Sequence, residues 1–92
     1  MPFSQRWYVD GEPVTVMIYD REHNPPHITV HYRRVRPTLR ISIMGLALMD
    51  PRPREIPQWV VNGLLAKVRR RQRRLLYVWE RYTGLRVRIR EE

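Results

Sequence analysis

The chain has no cysteine, one lysine, one phenylalanine, four glycines and no long apolar run. Each shortage excludes something. Without cysteine there is no disulfide framework, no thiolate zinc centre and no cysteine nucleophile, a composition that suits a reducing compartment such as the cytoplasm. A membrane-crossing helix needs roughly 20 consecutive apolar residues, and residues 1–10 lack the apolar stretch of a signal peptide, so no membrane partner is expected. Acidic residues are scarce as well: nine Asp plus Glu face eighteen Lys plus Arg, a formal charge of +9. Only Lys67 is lysine, which makes the positive charge almost entirely arginine. The guanidinium fork matches phosphate and carboxylate, a property that solubility alone does not demand. The expected partner is therefore an anion: nucleic acid, with RNA ahead of DNA, or an acidic protein.

What is present supports one folded domain spanning residues 1–92. A chain of 92 residues holds a single modest core, and an apolar content of 42% is enough to build it. Val14, Val16 and Ile18 alternate with Thr15, Met17 and Tyr19, the period-two pattern of a half-buried strand, with a turn before it at Asp10 and Gly11. Ile28, Val30 and Tyr32 alternate with His27, Thr29 and His31 to give a second strand. Leu39, Ile41 and Ile43 give a third, which stops near Gly45, and residues 46–49 either prolong it or turn. After a proline-rich stretch the period becomes helical. Val61, Leu64, Leu65, Val68, Gln72, Leu75, Leu76, Trp79 and Tyr82 recur at spacings of three and four. Pro57 suits the helix entry and Gly84 its C-terminal cap. Gln72 interrupts the stripe beside a run of arginines, so the pattern fits one long helix or a helix pair. Leu85, Val87 and Ile89 alternate with arginines and read as a returning C-terminal strand. The expected fold is α+β: a small, largely antiparallel sheet of three N-terminal strands plus a C-terminal strand, packed on that helix or helix pair.

The most distinctive stretch is Glu22-His23-Asn24-Pro25-Pro26-His27-Ile28-Thr29-Val30. It resembles the signature of a family of small bacterial proteins, domain-of-unknown-function family 4160, which reads Glu-His-Asn-Pro-Pro-His-aromatic-His-Val. The likeness extends over almost the whole chain, through the strand at Leu39 to Ile43, the helix entry at Ile56 and Pro57, and a helix carrying the spaced Trp59 and Trp79. Members are commonly encoded beside a second small domain in pairs that look like toxin–antitoxin modules. The resemblance implies a toxin-like or regulatory role with an acidic cognate antitoxin as partner, and it names no chemistry. One departure matters: Thr29 stands where the family has its second His, and a His returns only at His31. His27 and His31 lie about 13 Å apart along an extended strand, at roughly 3.3 Å per residue, too far to share one metal. No metal or other cofactor is expected, unless His23 folds back toward His27 with Asp20 or Glu22 as an oxygen ligand.

The block admits other readings. Proline fixes φ and holds the residue before it extended, so Asn24-Pro25-Pro26 is a stiff corner with His23 and His27 on either side. Imidazoles exchange protons near neutral pH, and a carboxylate such as Glu22 can orient them. With arginines to neutralise phosphate, Glu22, His23, His27 and His31 become candidates for metal-independent RNA cleavage, one His taking the 2′-OH proton and another acid protonating the leaving oxygen. The rival reading makes Pro-Pro a strand entry and His27 a hydrogen-bonding group within the corner.

A second feature is the run of arginines at residues 69–74. On a helix Arg70, Arg73, Arg74 and Arg81 point away from the apolar stripe with Lys67, and Trp59 and Tyr77 fall on the same face. Arginines interleaved with rings can pair phosphates and stack unpaired bases. Solvated helix faces usually interleave Glu, and here only Glu80 appears. Arg33, Arg34 and Arg36, in the connection after the His-bearing strand, form a further basic cluster. If His27 and His31 lie on an open face of the sheet, protonatable and phosphate-binding groups converge there. Two functions thus stand open: a toxin-like component that binds RNA and cleaves it as a ribonuclease, or a non-enzymatic nucleic-acid-binding or protein-partner module, alone or as a homo-oligomer.

Overall fold

Residues 3–20 and 23–85 are described by the computed structural model of the protein. The sheet begins one strand earlier than the period-two pattern indicates. β1 (Phe3–Val9) and β2 (Glu12–Ile18) form a hairpin closed by Asp10 and Gly11, both with positive φ, at 46° and 85°. A two-residue turn of this kind twists with its strands, and glycine takes its second position without penalty. Val9 and Glu12 close the hairpin as a hydrogen-bonded pair, so Tyr8 faces Pro13 at a non-hydrogen-bonded position. The missing N–H of Pro13 therefore leaves no gap in the β1–β2 ladder. By the same alternation the N–H and C=O groups of Ser4, Arg6 and Tyr8 point away from β2. Only Trp7 and Val9 of β1 are buried, so its sequence pattern repeats just once.

β3 (His27–His31), β4 (Leu39–Ser42) and β5 (Ala47–Leu48) complete a five-stranded antiparallel meander in chain order. The short β5 resolves the ambiguity over residues 46–49: Leu46 adopts φ 52° and the chain reverses to pair Leu48 with Ile41. On one face Val14, Val16, Ile18, Ile28, Val30, Leu39 and Ile41 line up across three strands as a continuous apolar layer. The expected C-terminal strand falls at residues 86–90, outside the described residues.

Two helices cover that layer: α1 (Gln58–Arg70) and α2 (Gln72–Thr83). Of the two readings the helix pair is the one observed. The break is Arg71, with φ −107° and ψ 13°, and Gln72 explains it. Its side-chain amide donates to the carbonyl of Ile43 at 2.9 Å, tying the polar member of the stripe to the end of β4. Pro57 is the N-cap, one residue before the first helical turn, and its carbonyl accepts from the N–H groups of Val60 and Val61. Gly84 ends α2 in the left-handed conformation and donates to Glu80 O. Val60, Val61, Leu64, Val68, Leu75, Leu76 and Trp79 join the strands in one core. Gly63 lies against Val9, so close that a Cβ at this position would overlap the valine methyl. α2 runs past the strand ends, with Gln72 at Ile43, Trp79 against His27 and Tyr82 edge-on to Phe3. No helix among the described residues is long and apolar enough to cross a membrane.

Candidate functional site: a histidine corner and a basic helix face

The histidines and the arginines occupy different parts of this architecture. β3 is the central strand, and its first residues are enclosed on both faces, with His27 only 5% exposed and Thr29 7%. Strand parity does put His27, Thr29 and His31 on the face opposite the apolar layer. That face is not open at His27, contrary to the alternation pattern, because the imidazole turns against Trp79 of α2 with ring centroids 5.2 Å apart. Its Nδ1 lies 3.0 Å from Pro25 O. A carbonyl can only accept, so Nδ1 carries the proton and the tautomer is set by the corner itself. Pro26 O in turn accepts from Ile43 N–H at 3.0 Å, which fastens the corner to the end of β4.

The remaining histidines do not assemble around His27. His23 is exposed beyond the Asn24–Pro25 cis peptide bond. His31 is half-buried four residues along the strand, with Nε2 3.1 Å from the Tyr19 hydroxyl. Glu22 lies outside the described residues. Among the described residues no three His, Asp or Glu side chains come together as a metal-holding group. The Asp50 carboxyl is held below its ordinary value first by hydrogen bonds from Arg40, at 2.7 and 2.8 Å, with a smaller pull from His27. Arg40, Asp50, Arg52 and the prolines at 37, 51 and 53 line a cleft of about 590 Å³. Its charges are engaged by the protein, Arg40 with Asp50 and Arg52 with the carbonyl of Ile56.

Arg33, Arg34 and Arg36 follow the other end of β3, away from the corner. Arg33 adopts φ 52° and binds Glu12 at 2.6 Å, which raises its already high pKa through that hydrogen bond. It closes the β2–β3 edge as a surface ion pair, whereas Arg34 and Arg36 are exposed. This cluster follows His31 and lies at the opposite end of β3 from His27.

The helix arginines are placed differently. Arg69, Arg70, Arg71, Arg73, Arg74 and Arg81 are all exposed, and among the described residues none pairs with a carboxylate. Tyr77, 59% exposed, lies between Arg74 and Arg81 in sequence, with the Arg81 guanidinium 6.0 Å from its ring centre. Tyr77, Glu80, Arg81, Gly84 and Leu85 outline a shallow cleft of about 300 Å³. Trp59, at the start of α1, is 46% exposed. Arg70, Arg73, Arg74 and Tyr77 are therefore a set of cations without a carboxylate partner among the described residues and one ring, on consecutive turns across the helix break. Arg71 belongs to the same run but leans over Trp7 of β1 at 5.2 Å. Its position beside Trp7 could not be read from helical spacing, because it depends on the break.

No protein-family model, curated protein or solved structure matches the chain.

Proposed function

We propose that this protein binds single-stranded RNA through the exposed face formed by Arg70, Arg73, Arg74, Tyr77 and Arg81, and that the His-Asn-Pro-Pro-His corner is part of the scaffold. The observation that carries this reading is the state of the arginines: a run of exposed guanidinium groups with no carboxylate partner among the described residues. Phosphates supply the missing counter-charge, and the Tyr77 ring beside its cleft supplies a surface on which an unpaired base stacks. Duplex recognition would need no exposed ring.

RNA cleavage by Glu22, His23, His27 and His31 has less support. General acid–base catalysis needs imidazoles within reach of one scissile phosphate, whereas His27 is buried against Trp79 and His31 lies further along the strand at Tyr19. The resemblance to family 4160 supplies a setting for the RNA-binding reading, in which this chain is the basic member of a toxin–antitoxin-like pair. An acidic partner protein would then compete for the same arginines. Fluorescence anisotropy with a labelled, unstructured oligoribonucleotide tests the proposal. Binding should weaken as salt rises, with a log–log slope of about −0.7 for each phosphate neutralised. Salt-independent binding, or tighter binding to duplex than to single strands, contradicts it.

A further inference from the structure

A third concave region lies where β1 meets the end of α1. It is a cleft of about 240 Å³ lined by Gln5, Arg6, Trp7, Tyr8, Lys67 and Arg71. Two cations flank it on the Trp7 side, Lys67 from the last turn of α1 and Arg71 from the helix break, while Arg6 lines it along the β1 edge from a position that alternates to the opposite face of the sheet. No carboxylate lines it, and among the described residues neither Lys67 nor Arg71 is in an ion pair. Like charges gathered in this way repel until an anion joins them.

The donors are also held in place. The buried Trp7 indole N–H donates to Gln5 Oε1 at 2.8 Å, so the acceptor end of that amide is taken and its NH₂ group remains. The same indole lies beneath the Arg71 guanidinium, which fixes the face of the cation and leaves its in-plane N–H groups at the rim. The outward N–H groups of Arg6 and Tyr8 follow from the hairpin register, since β1 is the sheet edge among the described residues. At roughly 30 Å³ per water the cleft has the volume of about eight waters, room for a small oxyanion with part of its carrier. The larger proline-lined cleft differs on the decisive point, because its arginines are already bound within the protein.

We propose that this cleft is a phosphate-binding pocket, with Lys67 and Arg71 supplying charge and Gln5 and the outward N–H of Arg6 directed hydrogen bonds. Phosphate offers several acceptor oxygens and up to two negative charges, matching a pocket of many donors. Its chemistry stands on the cleft alone; its place in an RNA complex rests on the RNA-binding reading. The phosphate is either a terminal monoester or a bridging diester of the bound strand.

The test is a titration of the full chain with inorganic phosphate, followed by NMR at the Trp7 indole and Gln5 side-chain amide, with chloride at matched ionic strength as control. Saturable shifts at both groups, weakened roughly tenfold or more by Lys67→Gln with Arg71→Gln in a variant of unchanged melting temperature, support the pocket. Shifts no larger than those with chloride overturn it, even if RNA binds. Saturation by phosphate without any RNA binding supports the pocket and overturns the RNA reading instead. Oligoribonucleotides with and without a 5′-phosphate distinguish the sources. A preference for the phosphorylated strand that disappears in the double variant assigns a monoester, and equal affinities that fall together in the variant assign a diester. RNA affinities untouched by the double variant overturn the pocket's role in the complex.

Discussion

The His-Asn-Pro-Pro-His corner and the arginine face of the helices hold the two kinds of chemistry that the chain offers, and the protein treats them in opposite ways. At the corner the imidazole of His27 is buried, donates its proton to Pro25 O and packs on Trp79. On the helices the guanidinium groups from Arg69 to Arg74 stand in solvent with no carboxylate partner among the described residues. A reactive side chain whose bonds are met internally contributes to the fold. A charged side chain left unmet is available to a partner, so satisfaction separates the two regions better than residue type does.

The largest effect should come from breaking the corner. His27→Ala removes a packed ring and a hydrogen bond, and should lower unfolding free energy in urea by about 2–3 kcal/mol while leaving the RNA affinity of the folded fraction within about twofold. A loss of RNA binding without a loss of stability would reverse the comparison. Next, Arg70→Glu with Arg74→Glu should weaken single-stranded RNA by about thirtyfold, near 2 kcal/mol, and reduce the magnitude of the salt slope by about 1.4 for two lost phosphate contacts, with an unchanged urea midpoint. Gly63→Ala tests the packing beneath both regions. Its Cβ would overlap Val9, and calorimetry should show a loss of roughly 1–2 kcal/mol in stability.

Tyr77→Ala sharpens the comparison further. It removes one stacking surface, worth about 1 kcal/mol or more, and should lower RNA affinity roughly fivefold to tenfold in anisotropy titrations without altering the salt slope. The smallest effect belongs to Asp50, whose carboxyl the Arg40 hydrogen bonds hold below its ordinary value of 3.8. A folded pKa below the unfolded one stabilises the protein above about pH 4, and this contribution is lost as pH falls through the folded value. Because the pair is partly exposed, Asp50→Asn should remove under about 1 kcal/mol at neutral pH and flatten the acid limb of the stability curve.

Much of the fold was legible in the sequence. Alternation marked β2, β3 and β4 because each presents one strongly apolar face, and the period of 3.6 marked the helices for the same reason. β1 was hidden because an edge strand with two buried residues carries almost no alternation. The helix break needed Gln72 to be recognised as a ligand for the Ile43 carbonyl, a contact between residues 29 positions apart. Among the site residues, exposure of Arg70, Arg73, Arg74 and Tyr77 followed directly from helical phase. The burial of His27 did not follow from strand parity, because parity assigns a face and cannot show that Trp79 from α2 closes over its end. Nor could spacing bring Lys67 and Arg71 together beside Trp7.

In the proposed function the helix face, and not the histidine corner, meets the ligand. Chemical-shift mapping of the backbone and arginine side-chain signals during titration with an unstructured oligoribonucleotide tests this most directly. Saturable perturbations are expected at Arg70, Arg73, Arg74, Tyr77 and Arg81, with His23, His27 and His31 left in place. Perturbations concentrated at the three histidines, with the helix arginines unmoved, would contradict the proposed function.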